Sequence, residues 1–403
     1  MKKILFISHG HPELSKGGAE VASWNLYQQL KEQGFDCLYV ARSEPGSHGG
    51  STFSVRGEEL LFHTAMDNWF TLSTKRLKPL FDDLGDLVRE YAPDIIHVHH
   101  YAHIGFEIFA ALRQAAPNAK IVFTLHEFMA ICMHNGQMVK KGSLKLCQQA
   151  LPADCHRCFP QHSPGDFLLR QHYLLDQLDN VDCFVSPSHF LAKRYVDWGL
   201  PEEKMHVIEN VLPEMTSFPP APIKDGEKRA RLAFFGQINP YKGLDVLLNA
   251  LTLLPENLRK QVTLDVHGAN LDKQEPSFQE KINRQLDALS DCVNLRGAYE
   301  SHQLPGLLAD CDWVVIPSIW WENSPVVIQE AIAHGRPLIG SNIGGMKEKI
   351  ENIAGLTFEA RSASSLAKTI QNAIEPEVYD RWQSSLVVRS DILHTHIALL
   401  NSL

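Results

Sequence analysis

Two glutamates eight residues apart are the feature of this sequence that most clearly suggests chemistry. Glu322 and Glu330 lie in the segment WWENSPVVIQEAIAHGRPLIGSNIGG, residues 320–345. The residues between them are almost all apolar, which predicts a buried helix. A buried carboxylate without a partner costs several kcal/mol. Paired ligand hydroxyls, as on a ribose, would satisfy Glu330, and so would an internal arginine.

The start of this predicted helix offers a second kind of contact. Ser324 is a suitable N-cap and Pro325 a suitable first helical residue. The following amides, those of Val326 and Val327, have no acceptor within the helix and suit a phosphate. Glu322 then falls in the loop before the helix. One segment thus provides contacts for a sugar, a phosphate and a ribose, although a structural glutamate in a buried helix is the alternative.

Two further loops contain candidate anion contacts. Lys242 precedes a helix in FFGQINPYKGLDVLLNAL, where its point charge could reach a diphosphate. Gly17 and Gly18 precede another helix in SHGHPELSKGGAEVAS, and paired glycines let backbone amides approach an anion. A surface lysine and a flexible turn are the alternatives at these two places.

Histidine follows the apolar run KIVFTLH, at position 126. An imidazole at the carboxyl end of a strand could hydrogen-bond a sugar hydroxyl or titrate near neutral pH. The HVHH run at residues 97–100 is a similar candidate. The chain has 20 histidines, so most of them are expected to be structural.

Four cysteines occur between residues 132 and 158, and the last two form a C-x2-C pair. This grouping suggests a structural Zn²⁺ site in an insertion that closely follows His126. Free core thiols, or disulfides in an oxidising compartment, are the alternatives. The four candidate ligands are Cys132, Cys147, Cys155 and Cys158.

The elements that must position these residues alternate between short apolar runs and amphipathic stretches. This alternation predicts βαβ units with parallel sheets. In parallel sheets, ligands lie beyond the carboxyl ends of the strands, where the candidate residues fall. The predicted strands are KILFISH, DCLYVAR, DIIHVHH, KIVFTLH and CFVSPS in the first half, and RLAFFGQ, VTLDVHG, VNLRGAY, WVVIPS and PLIGSN in the second.

Residues 211–230 interrupt the pattern because they are rich in proline and charge. We therefore predict an N-terminal Rossmann-like domain at 1–211 and a C-terminal one at 228–375, facing a central cleft. The last segment, 376–403, is expected to be helical and to pack back on the first domain. A chain of 403 residues is too long for one ordinary core.

Composition excludes several classes of protein. The net charge is −9 and no long basic run is present, which argues against general nucleic-acid binding. No run of about 18 apolar residues predicts a membrane span, and the N-terminal apolar run is too short for a signal peptide. We expect a cytoplasmic protein with mostly reduced cysteines, for which peripheral contact with the inner face of the membrane stays open.

The motifs ENSPVVIQE, GGAE, FFGQINPYKG and SNIGG, taken together, closely resemble those of the retaining glycosyltransferases of family 4, which have the GT-B fold. The resemblance covers nearly the whole chain, with the motifs in the expected order and spacing. It implies a hexosyltransferase that moves a sugar from a nucleotide-diphosphate sugar to a saccharide or lipid-linked acceptor. Polysaccharide or glycolipid assembly at the cell surface is the implied setting.

The resemblance also implies roles for single residues. Glu322 matches the glutamate that contacts the transferred sugar, Glu330 the one that binds the ribose hydroxyls, and Lys242 the lysine that neutralises the diphosphate. His126 matches the histidine that faces the donor sugar. The remaining implied donor contacts are Gly17 and Gly18 in the N-terminal loop and Arg296 and Tyr299 close to the base. The helix-start argument adds Ser324, Val326 and Val327 as candidate donor contacts.

One position departs from the family pattern. The family usually has an arginine after the FFG strand, whereas this chain has Gln237, which can donate a hydrogen bond but carries no charge. Either another cation compensates, or the donor is bound more weakly or differently. No carboxylate is clearly placed as a covalent nucleophile, so the resemblance favours a front-face substitution that requires no metal. A nucleotide-sugar epimerase of the same fold and a non-catalytic nucleotide-sugar-binding protein are the competing hypotheses.

Overall fold

The computed structural model describes residues 2–15, 17–46, 50–213, 216–224 and 226–403. It divides into two compact units, Met1–Pro213 with Ser390–Leu403, and Glu214–Arg389. Each unit is built on a sheet of buried, mostly parallel strands, which confirms the prediction of two Rossmann-like α/β domains.

The first unit has an eight-stranded sheet in the order β3-β4-β2-β1-β5-β6-β7-β8. All described strand pairs are parallel except β3 with β4, which form an antiparallel hairpin. The central strands are apolar because both faces are covered. The strands are β1 (Lys3–Ser8), β2 (Asp36–Ser43), β3 (Phe53–Arg56), β4 (Glu59–His63), β5 (Ile95–Val98), β6 (Lys120–Thr124), β7 (Cys183–Ser186) and β8 (Met205–Val207).

Helices cover this sheet and connect its strands. A π-helical turn, Pro79–Leu84, leads into the second helix, and a 3-10 turn, Glu202–Lys204, precedes β8. The α-helices are α1 (Gly18–Glu32), α2 (Gly85–Tyr91), α3 (Ile108–Ala115), α4 (Pro152–Cys158), α5 (Pro164–Leu178) and α6 (His189–Trp198).

The second unit has a six-stranded parallel sheet in the order β11-β10-β9-β12-β13-β14. Its strands are β9 (Arg231–Phe235), β10 (Thr263–His267), β11 (Val293–Gly297), β12 (Trp313–Ile316), β13 (Leu338–Ser341) and β14 (Gly355–Phe358). Its helices are α7 (Leu244–Thr252), α8 (Glu256–Arg259), α9 (Pro276–Ala288), α10 (Leu304–Ala309), α11 (Val326–Ala333), α12 (Gly344–Ile350), α13 (Ala363–Ala373) and α14 (Pro376–Ser385).

The described part of the predicted linker is not a free connection. Residues 216–224 lie along the second unit, where arginine side chains bind their carbonyl groups. Arg336 donates to the Phe218 carbonyl at 3.0 Å, and Arg229 and Arg231 each donate to the Ala221 carbonyl at 2.9 Å. The proline-rich composition therefore marks an extended segment that packs on the second domain.

The C-terminal segment is divided between the two units, which differs from the prediction for residues 376–403. Helix α14 stays with the second unit because buried Tyr379 packs edge-on against Trp313, with ring centroids 5.9 Å apart. The last helix, α15 (Ile392–Ser402), packs on the core of the first unit. There the His396 imidazole donates to the Glu209 carbonyl at 2.9 Å.

Candidate functional site

Glu322 lies in the loop that follows β12, and one of its carboxylate oxygens receives three hydrogen bonds. The donors to Oε1 are Lys242 Nζ at 2.7 Å, Trp320 Nε1 at 2.8 Å and Ser318 Oγ at 2.9 Å. Only 9% of the residue is exposed. Burial opposes ionisation of Glu322, but the charge of Lys242 and these hydrogen bonds together hold its pKa below the usual value.

The position of Lys242 is fixed by the loop between β9 and α7. Asn239 Oδ1 accepts the backbone N–H groups of Tyr241 and Lys242, at 3.0 and 3.1 Å. Gly243 then caps α7 with φ at +71°, where a Cβ atom would overlap the Pro317 carbonyl. The lysine ammonium is therefore held beside Glu322 by its own loop, and Trp320 lies under it at 5.7 Å from the ring centroid.

The SNIGG motif supports the Glu322 loop from behind. The Gly345 N–H donates to the Glu322 carbonyl at 2.8 Å. A Cβ atom on Gly345 would overlap the Asn323 carbonyl oxygen, so the loop can pass only because this residue has no side chain. The glycine of this motif therefore positions the carboxylate-bearing loop.

Helix α11 begins at Val326, with Pro325 at the N-cap position and no side-chain cap. The predicted N-cap role of Ser324 is therefore wrong by one residue, because Pro325 has an extended ψ of 121° and lies outside the helix. The prediction of a fully buried helix is also wrong, since only Ile328 and Ala331 are buried. The uncapped first turn retains backbone amides, at Val326 and Val327, that can meet an anion.

Glu330 is half-buried in α11, and among the described residues no side chain donates a hydrogen bond or an ion pair to it. Burial alone raises its pKa to about 7. No arginine is bound to it among the described residues, and the nearby Arg336 donates instead to the carbonyl groups of Leu308, His334 and Phe218. Tyr299 is near enough for the Glu330 charge to add to the effect of burial, which raises the pKa of that phenol.

Aromatic side chains form the neighbouring part of the site. Phe235 and His267 stack face to face with ring centroids 4.9 Å apart, and Tyr299 meets the Phe235 ring edge-on at 5.6 Å. Arg296 is turned towards Asp265, to which its Nε donates at 2.7 Å. Tyr299 thus lies beside the Glu330 region, whereas Arg296 is occupied by a carboxylate of the adjacent strand β10. Gln237 is exposed at the end of β9.

The second unit therefore brings together Lys242 and Glu322 by direct contact, with the start of α11 in the same loop. Sequence reasoning missed Ser318, Trp320 and Asn239, which fix the geometry of that pair. The signal for Ser318 and Trp320 was their position at the carboxyl end of β12, directly before Glu322.

The candidate residues of the first unit also lie at strand ends. Gly17 is the N-cap of α1, where a Cβ atom would collide with the carboxylate of Glu20. That carboxylate accepts a hydrogen bond from Ser15 Oγ at 2.8 Å and lies 3.3 Å from His9 Nε2. The glycine loop is thus built around a buried glutamate, which is a structural reason for small residues there.

His126 follows β6 and shares a hydrogen bond with His99, its Nε2 being 3.1 Å from His99 Nδ1. Burial, with a smaller effect of His9, lowers the pKa of His126 to about 3, so the imidazole is neutral at physiological pH. Neighbouring Glu127 accepts the Tyr101 hydroxyl at 2.9 Å, and burial raises its pKa to about 7.

The four clustered cysteines line one cavity of about 20 Å³, together with His134, Gln149, Asp154 and apolar side chains. None of them forms a disulfide. Among the described residues, no group of three or more His, Cys, Asp or Glu side chains has the spacing of a formed metal site.

Comparison with known proteins finds one matching family model for each half of the chain. The model described as Glycosyltransferase Family 4 matches residues 16–213, and the model described as Glycosyl transferases group 1 matches residues 220–384. A glycogen synthase of Mycobacterium tuberculosis is 25% identical over 397 residues, covering 93% of this chain and 86% of that protein. A lipopolysaccharide 1,2-N-acetylglucosaminetransferase of Salmonella typhimurium is 22% identical over 390 residues, covering 93% and 90%.

Solved structures show the same fold. HepE of Anabaena, in complex with UDP and glucose, superposes with a TM-score of 0.66 at 18% identity over the full length of both chains. Sucrose-phosphate synthase of Thermosynechococcus elongatus superposes with a TM-score of 0.68 at 18% identity, covering 100% of this chain and 99% of that one. Among the described helices, none is long and apolar enough to cross a membrane. With both halves matched in order by family models, the chain belongs to the glycosyltransferases of the GT-B fold.

Proposed function

We propose that this protein is a retaining glycosyltransferase that moves a hexose from a nucleotide-diphosphate sugar to a saccharide or lipid-linked acceptor. The observation that carries the proposal is the contact of Lys242 with Glu322 in the loop that leads into α11. Helix α11 itself bears Glu330, whose carboxylate has no bound partner among the described residues. The complexes of Anabaena HepE with UDP and with UDP-glucose support a nucleotide-sugar donor. The lipopolysaccharide transferase of Salmonella supports a saccharide acceptor.

In this proposal, binding of the donor gives Lys242, Glu322 and Glu330 new partners. The diphosphate takes the ammonium of Lys242 and the first amides of α11, which stabilise the charge that develops on the leaving group. Glu322 remains held by Trp320 and Ser318 and turns to the transferred sugar. The ribose hydroxyls of the donor satisfy the Glu330 carboxylate, which loses its proton at neutral pH when two hydroxyl donors reach it.

The proposed chemistry is a front-face substitution. The bond between the anomeric carbon and the leaving phosphate oxygen breaks, while a bond from the acceptor oxygen forms on the same face. The acceptor proton passes to the leaving phosphate, so no protein base and no metal ion enters this scheme. His126 is proposed to meet the donor sugar as a neutral imidazole, in keeping with its low pKa.

The anomeric configuration of the product tests this mechanism. With an α-linked donor and a saccharide acceptor, proton NMR of the first product is expected to show an α-linkage. Replacement of Glu322 by alanine is expected to abolish transfer. A β-linked product would refute retention, and full transfer by the Glu322→Ala variant would refute the role of this carboxylate.

A further inference from the structure

The cysteine cluster of the first unit is the strongest feature that transfer chemistry leaves unused. Three local elements carry it. Cys132 lies in a tight turn, its N–H bonding the Phe128 carbonyl at 2.7 Å. Cys147 follows a short hairpin in which Val139 and Leu146 pair. Cys155 and Cys158 lie three residues apart on helix α4 and therefore on one face of it.

Turn, hairpin and helix bring the four cysteines together around one cavity. All four are among its lining residues, so no cysteine stands apart from the group. The cavity between them, about 20 Å³, is the size of a space that holds a single water-sized occupant. A space of this size among four thiols can take a single metal ion.

The sulfur of Cys132 also has backbone donors beside it, namely the N–H groups of His134 and Met138. Backbone donors of this kind are typical partners of a metal-bound thiolate.

A buried cation beside the cluster has no carboxylate bound to it among the described residues. Arg170 is 4% exposed, and its guanidinium donates only to the carbonyl groups of Phe70, Met129 and Ala130. Glu127, Tyr101, Cys132 and Cys155 are all near enough to interact electrostatically with the guanidinium. Because a buried charge needs compensation, a metal-thiolate centre with net negative charge suits this neighbour.

We propose that Cys132, Cys147, Cys155 and Cys158 bind one structural zinc ion. The four cysteines line one cavity, although among the described residues they do not form a finished metal site. Binding of Zn²⁺ displaces four thiol protons and gives a centre of charge −2, with no change of oxidation state. Arg170 partly balances that charge and ties the centre to the Met129–Ala130 backbone, close behind His126 and Glu127.

Metal content of the purified full-length protein tests the proposal without reference to activity. Mass spectrometry of the metals is expected to find about one zinc per chain. The Cys158→Ser variant is expected to lose the ion, whereas Cys37→Ser, a half-buried thiol outside the cluster, should retain it. Replacement of zinc by cobalt should give the intense visible absorption of a tetrahedral thiolate site.

If Cys158→Ser does not fold, experiments on the wild-type protein still test the proposal. Treatment with a strong chelator is expected to lower the melting temperature and to make four additional thiols reactive towards a disulfide reagent, with both effects reversed by added zinc. His134→Ala should keep its zinc, because His134 Nδ1 bonds the Val139 carbonyl and the four thiols complete the site. Zinc-free protein with four freely reactive cluster thiols, or iron with acid-labile sulfide, would overturn the proposal.

Discussion

Replacement of Glu330 by glutamine is expected to make the protein more stable and less able to bind its donor. The carboxylate is half-buried, and no described side chain is bound to it. Burial raises its pKa from the usual 4.5 to about 7. Glutamine has nearly the same shape but carries no charge, so it removes the cost of ionisation and keeps the packing of α11.

The magnitude follows from the two pKa values. The folded state holds the proton more tightly than the unfolded chain between pH 4.5 and about 7, so the stability of the wild type falls as pH rises through this window. At about 1.4 kcal/mol for each pH unit, the loss has a ceiling of about 3 kcal/mol above pH 7. Because solvent screens part of this carboxylate, we expect about 1–2 kcal/mol.

Thermal unfolding at two pH values measures this effect. At pH 8 the melting temperature of Glu330→Gln should exceed that of the wild type by about 2–8 °C, at about 2–4 °C per kcal/mol. At about pH 3.5 the two should melt nearly together, since Glu330 is then largely protonated in both states. The exposed Glu359→Gln in the same unit is the control and should change neither value.

The Glu330→Gln variant is expected to bind nucleoside diphosphate more weakly, although it is more stable. Hydrogen bonds to a charged group contribute about 1.5–3 kcal/mol, so loss of the charge should weaken nucleoside diphosphate binding by about 10- to 100-fold. Equal melting temperatures at pH 8, or an equal gain at both pH values, would refute the reasoning about burial. Unchanged binding would refute the assignment of Glu330 to the ribose.

Three further predictions concern the supporting structure. Gly345→Ala should displace the Glu322 loop and reduce transfer at least 10-fold. The control Gly306→Ala, where a Cβ atom meets open space, should leave transfer unchanged. Equal activity of the two variants would contradict the packing argument. Gln237→Arg should tighten nucleoside diphosphate binding several-fold in calorimetry, more at low salt, and a weaker complex would contradict it. Urea unfolding should show lower stability at pH 5 than at pH 7.5. Burial keeps the pKa values of His126 and its neighbours below 6.5, so these histidines bind protons more readily in the unfolded chain as the pH falls. A stability that does not change with pH would contradict this.

Much of the fold could be predicted from sequence because buried parallel strands are continuous apolar runs. All ten predicted strands are present. The hairpin of β3 and β4 was missed because its short strands mix polar and apolar residues. The edge strands β8, Met205–Val207, and β14, Gly355–Phe358, were also missed. Local patterns also placed α14 with the wrong domain, since only the packing of Tyr379 on Trp313 decides that.

For the site, sequence identified the charged residues but not their partners. The spacing of Glu322 and Glu330 marked the loop and the helix, yet it could not show that Lys242 binds Glu322, because the two are 80 residues apart in the chain. Nor could it show that Arg296 is engaged by Asp265, a contact between adjacent strands. Such pairings depend on sheet order, which single-residue patterns do not specify.

Turnover of nucleotide sugars tests the central claim most directly. Full-length protein is incubated with a panel of UDP-, GDP- and ADP-sugars, with water or a saccharide as acceptor, and release of the nucleoside diphosphate is measured by chromatography. We predict that at least one donor is turned over by the wild type and that Glu322→Ala and Lys242→Ala each reduce the rate by at least 100-fold, or about 3 kcal/mol. Failure of every donor, or turnover that survives both substitutions, would contradict the account.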